Sequence, residues 1–362
     1  MNKSDIQKEA LDVTLRFKRS GVVISVGVGK TKFALEYISE QLLKGKQKIL
    51  VVAPKLSIIE GWKSEIIKHQ YEILSEFITY TTYLSLVKQS FDYDLVVLDE
   101  MHSLIEESHS EWLNNYNGGI LGMTGTISRK GSSKRKMIDI YCPIVYEYKT
   151  DEAVVDKILN DYKIIVHYLN LDVKNTLQVQ TKSKSFYTSE LKNYQYWCNR
   201  LDDCGTPKQK QIMSIMRMKA MMNFKTKEHY AKILFDSQKD KTILFCNTQE
   251  QADRMCCHSY HSNNSDSEFN LELFKQGMID KLSSVLQLTE GVNIPELKTG
   301  IILHAYSGSS TKLRQSIGRL LRLNINDTCT LHILCYKGTV DEQWVNQNLE
   351  YFNQEKIEYV NN

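Results

Sequence analysis

Short apolar runs of strand length recur along the chain, each beside a segment whose apolar positions fall three and four residues apart. VVISV (22–26), KILVVA (48–53), DLVVLD (94–99) and GILGMT (119–124) form a first series. Runs this uniformly apolar suit strands covered on both faces, so their alternation with amphipathic helices predicts a parallel sheet between two helical layers. A second series opens at Asp161 with YKIIVHYL and continues with TILFCN (242–247), TGIILHAY (299–306) and TLHILCY (330–336). The repeated pattern predicts an α/β fold of two lobes, residues 1–150 and 151–362. TLHILCY is the last strand expected, about 25 residues before the end. Beyond it, Val340, Trp344, Val345, Leu349 and Phe352 make a helical stripe that should pack on its own lobe.

Residues 182–239 break the alternation. They read as helical, hold five methionines between Met213 and Met222, and carry 12 lysines and arginines against 5 acids. That stretch is near +7 in a chain of net charge +3, which leaves the remainder near −4. A local basic surface of this kind can grip a phosphate backbone, with Lys208, Lys210 and Lys219 as its candidates, or can be a solvated helical face over a methionine-rich core. The whole-chain charge identifies no polyanionic partner.

At 362 residues the chain is long enough for two cores. Its eight cysteines share no repeated spacing and follow no signal peptide, and no apolar run is long enough to span a bilayer. These features predict free thiols and a cytoplasmic protein, or one of the host cytoplasm if phage-encoded, with no membrane partner. Cys256, Cys257, His258 and His261 crowd one place without a second ligand pair, which argues against zinc.

Three motifs carry the chemistry. SVGVGKT (25–31) lies between a predicted strand and a predicted helix. Gly27, Val28 and Gly29 would let backbone N–H groups approach phosphate oxygens, Lys30 would reach the β and γ phosphates, and the Thr31 hydroxyl would coordinate magnesium. The strict pattern has glycine at position 24, where this chain has Ile24. In VVLDEMH (96–102), Asp99 and Glu100 end a buried strand. Adjacent strand residues point opposite ways, so both can serve one site only if the chain turns there. Asp99 would then hold magnesium through water, Glu100 would orient the attacking water, and His102 would relay the nucleotide state. In QSIGRLLR (315–322), Arg319 and Arg322 share one face of a helix expected from about Ser310, with Gln315 beside them. Their guanidiniums suit a phosphoryl group whose charge is shifting.

Taken in this order, the motifs resemble the superfamily 2 helicases and translocases, in particular the DExH-type DNA group of repair and transcription helicases and type I restriction motors. The resemblance runs from about Ile6 to Tyr336. It implies two tandem RecA-like lobes that bind ATP and nucleic acid at the cleft between them, with the basic helical stretch in or before the second lobe. IQKEAL resembles the adenine-reading segment, which puts Gln7 over the base. VVAPKLSIIEGW and TTYLSL resemble segments that place Pro54, Lys55, Trp62 and Thr82 near the nucleic-acid backbone. GMTGT resembles the coupling motif, with Thr124 and Thr126, and usually continues with proline where this chain has Ile127. TILFCNTQEQADRM resembles the opening of the second lobe and contains Thr248. LTEGVNIPEL resembles the segment that sets Gly291 and a polar residue, here Asn293 in place of aspartate, at the nucleotide.

The resemblance implies ATP and Mg2+ as cofactors. It also implies nucleic-acid-dependent ATP hydrolysis coupled to movement along DNA and its unwinding or remodelling, typically 3′ to 5′, with single-stranded or branched DNA as the track. Three alternatives stand beside it: a double-strand translocase that separates no strands, an RNA helicase, and a non-hydrolysing ATP-binding scaffold, the last opposed by the presence of Lys30, Asp99, Glu100 and the arginines. A chain so close to a bare core leaves no room for a nuclease, damage-recognition or zinc domain, so protein partners or the basic stretch would supply targeting.

Overall fold

The computed structural model describes residues 1–25, 27–127, 130–180, 185–285, 294–304, 327–350 and 352–362. Two compact units appear, one holding Met1–Asp161 and the other opening at Tyr162. The first runs on past the boundary expected near residue 150, because Ala153 and Leu159 are buried with it.

The first unit is a six-stranded sheet of β1 (Arg19–Ile24), β2 (Ile49–Ala53), β3 (Ile78–Thr82), β4 (Leu95–Asp99), β5 (Gly119–Thr124) and β6 (Ile144–Tyr148). The strands lie in the order β3-β2-β4-β5-β1-β6, every neighbour parallel. β2, β4 and β5 are buried along their whole length, as their unbroken apolar runs require. β3 and β6 were not evident as apolar runs. They are the outermost strands, and ITYTT and IVYEY carry polar residues toward the half-exposed side of an edge.

The second unit holds β7 (Asp161–Leu169), β8 (Leu177–Gln180), β9 (Ser185–Thr188), β10 (Thr242–Cys246), β11 (Ser259–Tyr260), β12 (Lys281–Val285), β13 (Thr299–Ile302), β14 (Thr328–Tyr336) and β15 (Ile357–Asn361). Seven of them form a sheet in the order β11-β12-β10-β13-β14-β7-β15. β11, β12, β10, β13 and β14 pair parallel in turn, as does β15 with β7. β12 (KLSSV) escapes an apolar search because two of its buried positions are serines. Both hydroxyls are satisfied by main-chain carbonyls, Ser283 Oγ on Ala252 at 2.7 Å and Ser284 Oγ on Val285 at 2.8 Å.

Two expectations need correction. TLHILCY is not the last strand: β15 adds to the edge beside β7, with Ile357 opposite Ile164 and Asn361 opposite Tyr168. Its residues after Ile357 are exposed, so no apolar run announces it. The stretch read as helical from residue 182 is strand at 185–188, where β9 forms an antiparallel hairpin with β8. The helices follow at Glu190–Asp202, Pro207–Met222 and Lys225–Ser237. The C-terminal stripe falls on helix Val340–Leu349, and Val340 and Trp344 pack into the core of their own unit. All eight cysteines are free. Among the described residues no helix is long and apolar enough to cross a membrane.

One charged pair is sealed inside the second unit. The Lys227 ammonium, fully buried, donates to Asp341 Oδ2 and sits 4.8 Å from the centre of the Tyr336 ring. The Asp341 carboxylate also accepts the Tyr336 N–H at 2.8 Å. Breaking such a pair leaves an uncompensated buried charge, whereas an apolar replacement of both partners can be neutral. Asp341→Ala should therefore lower stability by about 3–5 kcal/mol in urea unfolding, and Lys227→Met combined with Asp341→Leu should recover only part of that loss, because the Tyr336 N–H is still left without its acceptor.

Candidate active site

The carboxyl ends of β1, β4 and β5, neighbours in one parallel sheet, bring the first unit's motifs together, where such sheets take their ligands. After β1 the chain turns through Gly27 and Gly29, both at positive φ (95° and 102°), and enters helix Lys30–Leu43. Glycine is required at 29 by its φ, which strains any side chain, and a Cβ there would also displace the Gln7 amide, 2.5 Å away. Ile24, in place of the strict pattern's glycine, is the last residue of β1 and fully buried, so apolar packing governs that position. No side chain caps the helix at Gly29, which leaves its first-turn N–H groups and the positive end of the helix dipole available to an anion.

Gln7, on helix Lys3–Thr14, is only 4% exposed and donates its amide to the carbonyls of Val28 (2.9 Å) and Gly29 (3.3 Å). It braces the loop from beneath. This is a structural role that the adenine-reading expectation did not contain.

At the end of β4 the chain does turn. Glu100 lies in the left-handed region (φ 49°, ψ 56°), a conformation that costs a non-glycine residue about 1–3 kcal/mol and concentrates at functional sites. The turn lets the two adjacent carboxylates work in one place. Glu100 Oε1 accepts from Lys30 Nζ at 2.8 Å, and its Oε2 accepts from the Thr124 hydroxyl at 3.1 Å. His102 Nδ1 is 2.8 Å from Thr124 Oγ1 and 3.3 Å from Glu100 Oε2. The Thr126 N–H closes the network on Thr124 Oγ1 at 3.1 Å. Burial works to raise the Glu100 carboxyl, but the Lys30 and His102 charges and the hydrogen bonds of Lys30 and Thr124 outweigh it and hold the group well below its ordinary range. Ile127, where proline is usual, packs its side chain against the first unit's core.

Asp99 has the opposite fate. It is 6% exposed, and burial first and the Glu100 charge second raise it above its ordinary range, against the opposing pull of Lys30 and two N–H donors. Those donors are Trp62 Nε1 at 2.8 Å and the Glu100 N–H at 2.9 Å. Tyr83, absent from the sequence reading, donates its hydroxyl to the Asp99 carbonyl at 2.9 Å. Its position directly after Thr82 in TTYLSL is the one available signal.

Trp62 therefore corrects its expectation. At 1% exposure it cannot lie along a nucleic-acid backbone. Ile59, Trp62 and Ile66, three and four apart on helix Leu56–Lys68, form that helix's buried face, and the indole N–H is spent on Asp99. Lys55 is the N-cap residue just before the same helix and is exposed, next to half-buried Pro54. Thr82 ends β3. In the second unit Thr248 caps helix Gln249–Met255, its hydroxyl accepting from the Gln251 N–H at 3.2 Å, while Lys208, Lys210 and Lys219 are exposed on Pro207–Met222. Gly291, Asn293, Gln315, Arg319 and Arg322, with Lys182 and Lys184, lie outside the described residues.

The donor set fits a nucleotide triphosphate with a hard divalent cation. Thr31 offers a hydroxyl without a partner among the described residues, Asp99 a carboxylate, the Gly27–Thr31 turn its N–H groups, and Lys30 a cation that now neutralises Glu100.

Comparison with known proteins agrees with this chemistry. Residues 1–85 match the family described as type III restriction enzyme, res subunit, and residues 225–324 match the helicase conserved C-terminal domain. The chain is 26% identical to the DNA 3′-5′ translocase XPB2 of Sulfurisphaera tokodaii over 368 residues, covering 93% of this chain and 82% of that protein. In fold it is similar to the ATP-dependent type ISP restriction-modification enzyme LlaBIII bound to DNA, with a TM-score of 0.63, 16% identity and 99% of this chain covered. It spans 31% of that enzyme's chain. It is also similar to the helicase domain of Pyrococcus furiosus Hef, with a TM-score of 0.54 and 15% identity, over 95% of this chain and 98% of that one.

The Trp62–Asp99 bond is separable from packing by pH. Trp62→Phe keeps a ring but removes the donor, so it should destabilise the protein by about 1–3 kcal/mol at neutral pH, where Asp99 is ionised. The N–H favours the carboxylate, so its loss raises the Asp99 midpoint further, and the hydrogen-bond part of the deficit should vanish as pH falls below that midpoint while the packing part remains. Denaturant unfolding across the acid range measures both.

Proposed function

We propose that the chain, as a member of the superfamily 2 helicases and translocases, is an ATP-driven motor that moves along DNA in the 3′ to 5′ direction. The observation that carries this reading is the Lys30–Glu100–Thr124–His102 network at the mouth of the glycine turn. It holds one carboxylate ionised, as a water-orienting base must be, and ties it to the cation that a terminal phosphate would claim. The similarity to a DNA 3′-5′ translocase over nearly the whole chain supports DNA as the track and 3′ to 5′ as the direction.

In this reading Lys30 and the turn's N–H groups would hold the ATP phosphates, and Thr31 and Asp99 would hold magnesium. The bound metal would neutralise phosphate charge. Trp62 and the Glu100 N–H keep the Asp99 carboxylate oriented. Glu100 is held deprotonated by the Lys30 and His102 charges and is thereby fit to position water. Its hydrogen bond to Thr124 joins it to the segment that the resemblance assigns to coupling, so a shift of Glu100 would be felt at Thr124, Thr126 and His102. Arg319 and Arg322 would supply the forked cations that stabilise the transferring phosphoryl group.

Steady-state ATP turnover with no nucleic acid, single-stranded DNA, duplex or forked DNA, and structured RNA tests the reading, with Lys30→Ala as the blank. Strong stimulation by a DNA form is expected, and turnover indifferent to every nucleic acid would sink the motor. Glu100→Gln should bind ATP without hydrolysing it, and hydrolysis retained in that variant would remove the proposed role of Glu100. Arg319→Ala should keep ATP binding and slow turnover by about three to five orders of magnitude.

A further inference from the structure

The hairpin and the two helices after it, in the second unit, enclose a cavity that the nucleotide chemistry does not use. β8 and β9 form its floor, and helices Glu190–Asp202 and Pro207–Met222 form its walls. Its volume is about 710 Å³, inside the range of about 300–1,000 Å³ usual for sites that take a small organic molecule. Phe186, Tyr196 and Trp197 line it beside Lys192, Asn193 and Lys219.

The element is anchored from behind. The buried Glu190 carboxylate accepts the N–H groups of Asp172 (3.1 Å) and Thr226 (2.9 Å), and the Tyr194 hydroxyl accepts that of Val340 (2.9 Å). The adjoining face of the helix lines the cavity: Lys192, Asn193, Tyr196 and Trp197 recur at helical spacing along it. Tyr196 meets the Trp197 ring edge-on at 5.1 Å between centres, which fixes the indole plane. The indole N–H has no acceptor among the described residues. On the second wall Met216 and Lys219 line the cavity, and Lys208, Ile212 and Ile215 lie on the same helix face. Lys208, Lys210 and Lys219 are exposed, with no acidic partner among the described residues.

An apolar, aromatic pocket rimmed by unneutralised ammonium groups matches a ligand with a flat π-face and a negative charge attached. We propose that this cavity binds an unstacked nucleotide of single-stranded nucleic acid, its base against Trp197 and Phe186 and its phosphates on Lys192 and Lys219. Stacking on an aromatic ring tolerates every base, and lysines read only charge, so the contact is independent of sequence, as a moving protein needs. In a duplex both faces of each base are already covered by its neighbours, so the cavity favours a separated strand. The inference deepens the motor reading and rests on it: it names a single strand as the track and the hairpin element as the place that holds it.

The test uses the full chain and a fluorescently labelled oligodeoxythymidine strand, with a blunt duplex of matched length beside it, followed by anisotropy at several salt concentrations. Trp197→Ala should weaken single-strand binding by about 5- to 150-fold, what one base–aromatic stack is worth, and leave the salt dependence unchanged. Trp197→Phe, which keeps a stacking face, should recover most of that affinity. Lys192→Gln with Lys219→Gln should reduce the salt slope by roughly 0.7 for each lost phosphate contact. ATP turnover without nucleic acid should match the parent in all of them, since none of these residues belongs to the ATP site. Wild-type affinity for the single strand in Trp197→Ala would overturn the proposal, as would an equal loss on the duplex. Either failure is distinct from failure of the motor, which would show as wild-type turnover that no nucleic acid stimulates.

Discussion

Two adjacent carboxylates at the end of one strand, Asp99 buried and Glu100 half-buried, impose the constraint around which the first unit is arranged. Each costs several kcal/mol to remove from water as an ion, and together they repel. The protein divides the burden unequally. Glu100 takes the cation, the histidine and the threonine hydroxyl and stays ionised, while Asp99 receives two neutral N–H donors and is pushed upward. That asymmetry requires the left-handed turn at Glu100, which in turn requires the residues on either side to be tied down. The Tyr83 hydroxyl on the Asp99 carbonyl and the short helical turn Met101–Ser103 do so.

The second unit buries a comparable charge to a different end. Lys227 and Asp341 are sealed, and Asp341 also takes a main-chain donor. Lys30 and Glu100 are also paired but keep some exposure, and beside them stand helix N–H groups without a side-chain cap and a threonine hydroxyl with no partner among the described residues. Closely paired charges occur in both places, so an ion pair alone does not mark a site. What separates them is access: the glycine turn presents main-chain N–H groups beside a partly exposed pair, whereas the Lys227–Asp341 pair is closed off from any ligand.

The hairpin element follows the same logic with apolar surface. The carboxylate of Glu190 and the hydroxyl of Tyr194 are used inward to fasten it, which leaves its aromatic rings and lysines turned to a cavity. An anchored back and an unspent front distinguish a surface built to hold something from a merely solvated helix.

The central strands were legible in the chain itself, because a strand covered on both faces must be apolar throughout, and β2, β4 and β5 are. The glycine turn was legible because Gly27 and Gly29 sit between a strand and a helix and only glycine takes their φ without strain. The edge strands β3, β6 and β15 were not, since half-exposed positions accept polar residues, and β12 hid behind buried serines that find carbonyls only once neighbouring segments are packed. Trp62 shows the limit most clearly. Its place among Ile59 and Ile66 announced a buried face, a matter of local period, but nothing local says that its N–H meets a carboxylate 37 residues away. That contact exists because β2 and β4 lie side by side, Val51 opposite Val97, which brings the helix after β2 over the end of β4. Residue type and period determined which groups could do chemistry; the register of the sheet decided which of them meet, because a hydrogen bond depends on position in space and the chain carries only order.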